Sequence, residues 1–133
     1  MIIWIIGLSG AGKTTVGQKL AEKIRARKDN LVFLDGDLLR DVWGDRLGHT
    51  KEARAVNSHR FSHLCHMLDQ QNQSVVASAL SIFPDWQKWN RDNFSQYFEV
   101  FLDVPLETVI ERDSKGIYKR ALSGEMDNVV GID

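Results

Sequence analysis

The sequence predicts an α/β fold, a doubly wound parallel sheet with flanking helices, and three observations carry that expectation. Ile2 to Ile6 is a continuous apolar run rich in β-branched residues, as a strand buried on both faces requires. Further runs of strand length recur down the chain, separated by segments of helical spacing. No internal repeat, low-complexity tract or linker interrupts the alternation.

Taken in order, Ile2 to Ile6 is the first strand, and Val16, Leu20 and Ile24 space a helix from Thr14 to about Arg27. Leu31 to Leu34 reads as a second strand and Leu38 to Trp43 as a short helix. Glu52 to about Gln70 is a long helix with Val56, Phe61, Leu64 and Leu68 among its apolar positions. Ser74 to Leu80 is the third strand, Asp85 to Phe94 a helix, and Tyr97 to Val104 the fourth strand. Pro105 then opens a further helix at the position where its missing N–H is harmless.

With 133 residues, 43% of them hydrophobic and 26% charged, the chain has apolar material for one compact core, so residues 1–133 are expected as one domain. Seventeen basic against eighteen acidic residues leave a net charge of -1, and no broad positive field exists to gather a nucleic-acid backbone. One cysteine, Cys65, excludes an intramolecular disulfide framework, and the N-terminal apolar stretch is too short for a membrane span or signal. A cytoplasmic protein whose partner is a small molecule, with neither nucleic acid nor membrane involved, is the expectation.

Gly7-Leu8-Ser9-Gly10-Ala11-Gly12-Lys13-Thr14, followed by Thr15, satisfies G-x-x-x-x-G-K-[ST] directly after a strand and at the opening of a helix. The glycines let backbone N–H groups curl around a phosphate chain, with the helix N-terminus adding favourable dipole. Lys13 reaches the β and γ phosphates and Thr14 holds Mg²⁺, so ATP and Mg²⁺ are the expected ligands and the sheet is expected to be of the P-loop NTPase type. Asp35 and Asp37 stand at the C-terminal end of the second strand, the edge where open α/β sheets bind ligands. Beside an ATP cradle they orient the metal and accept the proton of an attacking hydroxyl. The structural alternative is an Asp-Gly turn closing the strand, with Asp37 capping the next helix.

"GLSGAGKTT", "LDGDLLRD" and "ERDSKGIYKRALSGEMDNVVGID" together resemble the adenylylsulfate kinase family, and the likeness runs from Ile2 to Asp133. The resemblance implies transfer of the γ-phosphoryl of ATP to the 3′-hydroxyl of adenylylsulfate. By it Gly7 to Thr15 would hold ATP, Lys13, Asp35 and Asp37 would be catalytic with Asp35 as base or metal-orienting acid, and Thr14 and Asp35 would serve the metal. Arg40, Arg54, Asn57, Ser81, Lys115, Gly131 and Ile132 fall where the family binds its nucleotide substrate. Arg112, Lys119 and Arg120 fall in a segment, Arg112 to Gly124, that resembles the family's mobile lid. From chemistry alone, Arg40 and Arg54 suit phosphate or sulfate oxygens and Asn57 suits a base edge or sugar hydroxyl, while solvated helix residues are the ordinary alternative.

The chain departs from the family where the substrate adenine would lie. Family members sandwich that base between two aromatic rings, at positions that here hold His49 and Val129. After the third strand the family commonly has Ser-Pro-aromatic-Arg, whereas this chain reads Ser81-Ile82-Phe83-Pro84-Asp85-Trp86. Stacking on a base contributes about 1–3 kcal/mol, so the loss weakens or changes adenine selection. A second acceptor is therefore kept beside adenylylsulfate: another activated nucleotide such as cytidine diphosphoramidate, with Phe83 or Trp86 as a new platform. A third reading is a nucleotide-binding module without turnover, because family members continue for about another strand and helix; a sheet edge left open would invite a homodimer.

His59 and His63, four apart with Cys65 and His66 nearby, would still need a third ligand and an orienting second shell to hold zinc, and they read as a helix face or buried polar position, with Cys65 a small core residue. Trp4 should be core, and Trp43, Trp86 and Trp89 fall near the expected substrate mouth.

Overall fold

The computed structural model describes residues 1–44, 48–80 and 83–132. Its elements run β1 (Ile2–Ile6), α1 (Lys13–Arg25), β2 (Leu31–Asp35), α2 (Gly36–Trp43), α3 (Lys51–Gln70), β3 (Ser74–Ala79), α4 (Pro84–Asn93), β4 (Tyr97–Phe101), α5 (Leu106–Arg112) and α6 (Ile117–Leu122). All four strands pair in parallel in the order β2-β3-β1-β4. Ile2 is set opposite Val75 on one side and Tyr97 on the other, so β1 lies inside the sheet as its unbroken apolar run requires.

Alternate side chains of the strands feed two layers. Ile2, Trp4, Val75 and Ala77 join Leu39, Phe61 and Cys65 from α2 and α3 on one face, and the Trp4 and Phe61 rings meet edge to face at 4.9 Å. Ile5, Val76 and Leu31 pack on the other face against Ala21 of α1. Gly17 lets α1 come down onto the sheet: a Cβ there would lie 2.7 Å from the Phe33 ring. Burial of each large apolar side chain contributes about 1.5–3 kcal/mol before chain entropy is subtracted.

Asp69, at the end of α3, ties the bottom of the sheet. It accepts from Ser95 N–H and Ser95 Oγ–H, both at 2.8 Å, and pairs with the N-terminal ammonium at 3.4 Å. Thr50 caps α3, its hydroxyl accepting from Ala53 N–H at 3.1 Å.

Several boundaries differ from the sequence expectation. The first helix runs Lys13–Arg25, and β4 stops at Phe101 because Leu102 N–H makes the last bond to Ile6 and Val104 N–H turns back onto Leu102 O. Pro105 sits one residue outside α5, its carbonyl accepting from Thr108 and Val109, whereas Pro84 takes the first turn of α4. The outer strand β4 is exposed at Phe98 and Phe101, unlike the buried interior strands. Among the described residues no helix is long and apolar enough to cross a membrane.

Candidate active site

The ligand edge of the sheet opens into a cleft of about 710 Å³. Three elements end there: the loop after β1, Asp35 closing β2, and Ser78–Ala79 closing β3, as expected for the carboxyl edge of a parallel sheet. The opposite wall is the segment after α5, which folds back over the loop.

The glycine loop adopts the curled backbone that its composition permits. Gly10 and Gly12 have φ of 82° and 97°, a region that L side chains avoid. Leu8 and Ala11 turn their side chains away into an apolar cluster with Val109, Tyr118 and Val129, so what they present to a ligand is backbone. A Cβ on Gly7 would crowd Ala11 at 3.2 Å and Leu102 at 3.4 Å. Lys13 Nζ donates to the carbonyls of Gly7 at 2.9 Å and Leu8 at 2.8 Å. Burial, helped by the charge of Lys115 and opposed by Asp37 and Asp35, lowers its pKa to about 8.

Asp35 is both a turn residue and a site residue. Its Oδ1 accepts from Asp37 N–H at 2.9 Å, capping α2, and its Oδ2 accepts from Thr14 Oγ1–H at 2.6 Å, reaching the first turn of α1. Asp37 leads its carboxylate into the open cleft and pairs with Lys115 Nζ. Partial burial pushes the Asp37 pKa up, but the Lys115 hydrogen bond and charge, with Arg40 and Lys13 adding to them, prevail and lower it. Asp37 therefore does not cap the helix; Asp35 does.

Arg40 and Arg54 converge on one residue from different helices. Arg40 Nη1–H donates to His49 Nδ1 at 3.0 Å and to Gly48 O at 3.4 Å. Arg54 Nε–H donates to His49 O at 3.0 Å, and its Nη2 donates to Asn128 O at 2.8 Å, tying α3 to the C-terminal segment. Burial and the two guanidinium charges lower the His49 pKa. Asn57 and Trp86 also line the cleft, as do Trp4, Trp43 and Phe61. Val129 is buried at 2% exposure within the apolar cluster under the loop.

In the covering segment, Arg112 Nη1–H donates to Gly10 O at 3.2 Å, and Lys115 reaches Asp37. Lys119 and Arg120, expected in the lid segment, are exposed and do not line the cleft. The reason is local: Asp113 accepts from the backbone N–H groups of Tyr118 and Lys119 and so starts α6 with Tyr118 inward and its successors outward. Gly131 and Ile132 also lie off the cleft wall, Gly131 against Leu106 and Leu8 and Ile132 in the apolar cluster. Their part is to hold the loop's underside. Ser81 lies outside the described residues.

Two contributors were missed from the sequence. Tyr118 is 1% exposed and its hydroxyl donates to Ser9 O at 2.6 Å, bolting α6 to the glycine loop. Asp113 builds the turn that places Lys115. A cap residue ahead of a short helix was the available signal for Asp113, whereas the tie from Tyr118 to Ser9 spans 109 residues and has no local signal.

The His59 and His63 rings lie 4.3 Å apart along α3, tilted by 40°, and face Trp86 and Trp89 of α4. Cys65 is fully buried, and burial raises its thiol pKa far above the usual range.

A strand, a curled glycine loop and a helix, with a buried carboxylate accepting a hydrogen bond from the loop's threonine, define a protein of the P-loop nucleotide-binding class. The family model described as "Adenylylsulphate kinase" matches residues 1–133, and the chain belongs to that family. Among curated relatives, it is 37% identical over 132 residues to the cytidine diphosphoramidate kinase of Campylobacter jejuni, covering 99% of this chain and 77% of that one. It is 41% identical over 131 residues to a probable adenylyl-sulfate kinase of Pseudomonas aeruginosa, covering 98% of this chain and 61% of that one. The solved APS kinase of Mycobacterium tuberculosis, in complex with AMPPNP and APS, superposes with a TM-score of 0.86 at 34% identity, over 99% of this chain and 79% of that one. The chain is thus a phosphotransferase with a hydroxyl acceptor.

Proposed function

We propose that the protein transfers the γ-phosphoryl of Mg·ATP to the ribose 3′-hydroxyl of a small activated nucleotide. The observation that carries this reading is the meeting of Lys13, Asp37 and Lys115 in one cleft, two cations from opposite walls around a carboxylate. Phosphoryl transfer passes through a loose transition state with charge on the moving oxygens, and positioning plus charge neutralisation supply most of the rate.

Each residue has a task in that reading. The backbone from Gly7 to Thr15 cradles the ATP phosphates, and Lys13 leaves the Gly7 and Leu8 carbonyls to take up phosphate oxygens. Thr14 Oγ1 and Asp35 Oδ2, 2.6 Å apart, form a hard-oxygen pair of the kind Mg²⁺ prefers, so the residues fit the ion. Bound there, Mg²⁺ supplies neutralisation of the phosphate charge. Both Asp35 oxygens are already engaged, which leaves the Asp37 carboxylate to accept the hydrogen bond of the attacking 3′-hydroxyl and orient it. Lys115 and Arg112 neutralise charge from the covering side. Arg40, Arg54 and Asn57 grip the acceptor.

For the acceptor, a cytidine nucleotide of the diphosphoramidate kind is the better-supported reading. The exposed His49 ring is engaged by Arg40 and Val129 is buried in an apolar cluster, so these two positions offer no aromatic sandwich to a purine. The relative from Campylobacter jejuni adds support. Adenylylsulfate is the second reading, supported by the relatives from Gloeothece citriformis and Picosynechococcus named adenylyl-sulfate kinase and by the one from Pseudomonas aeruginosa named a probable adenylyl-sulfate kinase. Release of ADP from Mg·ATP, measured with each acceptor and with none, tests the proposal. Acceptor-dependent release supports it; equal release in all three arms contradicts it.

A further inference from the structure

His49 stands between two arginines, and that arrangement fixes its chemistry. Arg40 is a donor only, so the 3.0 Å contact between its Nη1 and His49 Nδ1 makes Nδ1 the acceptor. The ring proton then resides on Nε2, and the neighbouring guanidinium charges of Arg40 and Arg54 keep the ring neutral. Arg54 pins the backbone of the same residue through His49 O at 3.0 Å. The ring lines the cleft as a neutral imidazole locked in one tautomer, presenting an N–H donor.

A second feature of the same cleft agrees. Trp4 Nε1 and Ser62 Oγ are buried polar atoms with no protein partner, and both residues line the cleft. Indole N–H is a donor without acceptor capacity, and a buried donor of this kind is ordinarily satisfied. Together with Arg40 and Arg54, Trp4 and Ser62 make the cleft rich in donors.

We infer that His49 is a specificity-determining residue that donates from Nε2 to an acceptor atom on the base of the acceptor nucleotide, selecting a base with adjacent acceptors. The cytosine edge carries O2 and N3 side by side. Both bases carry an amino donor on this edge, but adenine offers a single acceptor nitrogen beside it where cytosine offers two acceptors, so a donor-rich cleft finds one more partner on cytosine. The inference rests on the nucleotide-kinase reading above and deepens it to the choice of base.

The test is binding rather than turnover. With the ATP site filled by AMPPNP, cytidine 5′-monophosphate and adenosine 5′-monophosphate are titrated by calorimetry into the wild type, His49→Phe and His49→Gln. The expected result is tighter binding of the cytidine probe by wild type, a fall of about tenfold in the cytidine-to-adenosine preference in His49→Phe, and most of the preference kept in His49→Gln, which retains an N–H donor. A ring that merely props Arg40 would weaken both probes equally, and an unmoved preference overturns the inference. So does wild type that favours the adenosine probe or binds neither. Phosphoryl transfer assays on the same wild-type sample report separately on the kinase reading, so the two failures are distinguishable.

Discussion

Lys115 forms an ion pair with Asp37 across 78 residues of chain, and this contact joins the covering segment to the carboxyl edge of β2. Both side chains are more than half exposed, at 52% and 63%, so the pair contributes little to stability, about 0–1 kcal/mol. Lys115→Ala should therefore leave the denaturation midpoint nearly unchanged and reduce kcat by about 100-fold. A loss of several kcal/mol in stability, with kcat intact, would show that the contact is structural.

Lys13→Ala removes the cation at the centre of the glycine loop. Transfer should fall by at least about 1,000-fold while circular dichroism and the unfolding midpoint stay close to wild type, because Lys13 bonds loop carbonyls rather than the core. Turnover within tenfold of wild type would remove the phosphate-loop argument.

The Lys13 pKa gives a pH signature. Its value of about 8 in the folded protein lies below the ordinary 10.5, so between these values the unfolded chain holds more protons and this group makes stability rise with pH. Phosphate oxygens favour the ammonium form, so ATP binding should draw in a proton at pH above about 8. Calorimetric titration of ATP in buffers of different ionisation enthalpy reads that uptake directly; binding enthalpies independent of buffer at pH about 9 would refute it.

These two predictions rest on a part of the site that was legible in the sequence. The glycine loop, Lys13, Thr14, Asp35 and Asp37 sit at or just after strand ends, where the order of apolar runs dictates position, and all four strands begin at the expected residue, although β4 ends at Phe101 rather than Val104. Lys119, Arg120, Gly131 and Ile132 fared differently. Their direction depends on where Asp113 starts α6 and on how the last residues pack under the loop. The first is a local turn that apolar spacing does not reveal, and the second is a long-range packing that it does not carry. Tyr118 was overlooked for the same reason, since its partner Ser9 is 109 residues away.

Tyr118→Phe tests that bolt. Losing the hydrogen bond to Ser9 O should lower stability by about 1 kcal/mol and raise the KM for ATP severalfold, because the glycine loop loses its tie to α6. An unchanged KM would limit Tyr118 to packing.

Asp69 offers a check on the fold that is independent of catalysis. Burial alone would raise its pKa, but hydrogen bonds from Ser95 and the N-terminal ammonium prevail and lower it. A lowered carboxylate pKa gives stability that is complete above the unfolded value of about 3.8 and is lost as pH falls through the folded value. Asp69→Asn should cost about 1–3 kcal/mol at neutral pH and flatten the acid limb of stability against pH. An acid limb identical to wild type would contradict the assignment.

The central claim is transfer of a phosphoryl group to a ribose hydroxyl, and the most direct measurement follows the label itself. The protein is incubated with γ-labelled ATP, Mg²⁺ and cytidine diphosphoramidate or adenylylsulfate, and the products are resolved by chromatography and phosphorus NMR. The account predicts label on the 3′-oxygen of the acceptor, with the cytidine compound used in preference. Label found only as inorganic phosphate, or left entirely in ATP with both acceptors, would contradict it.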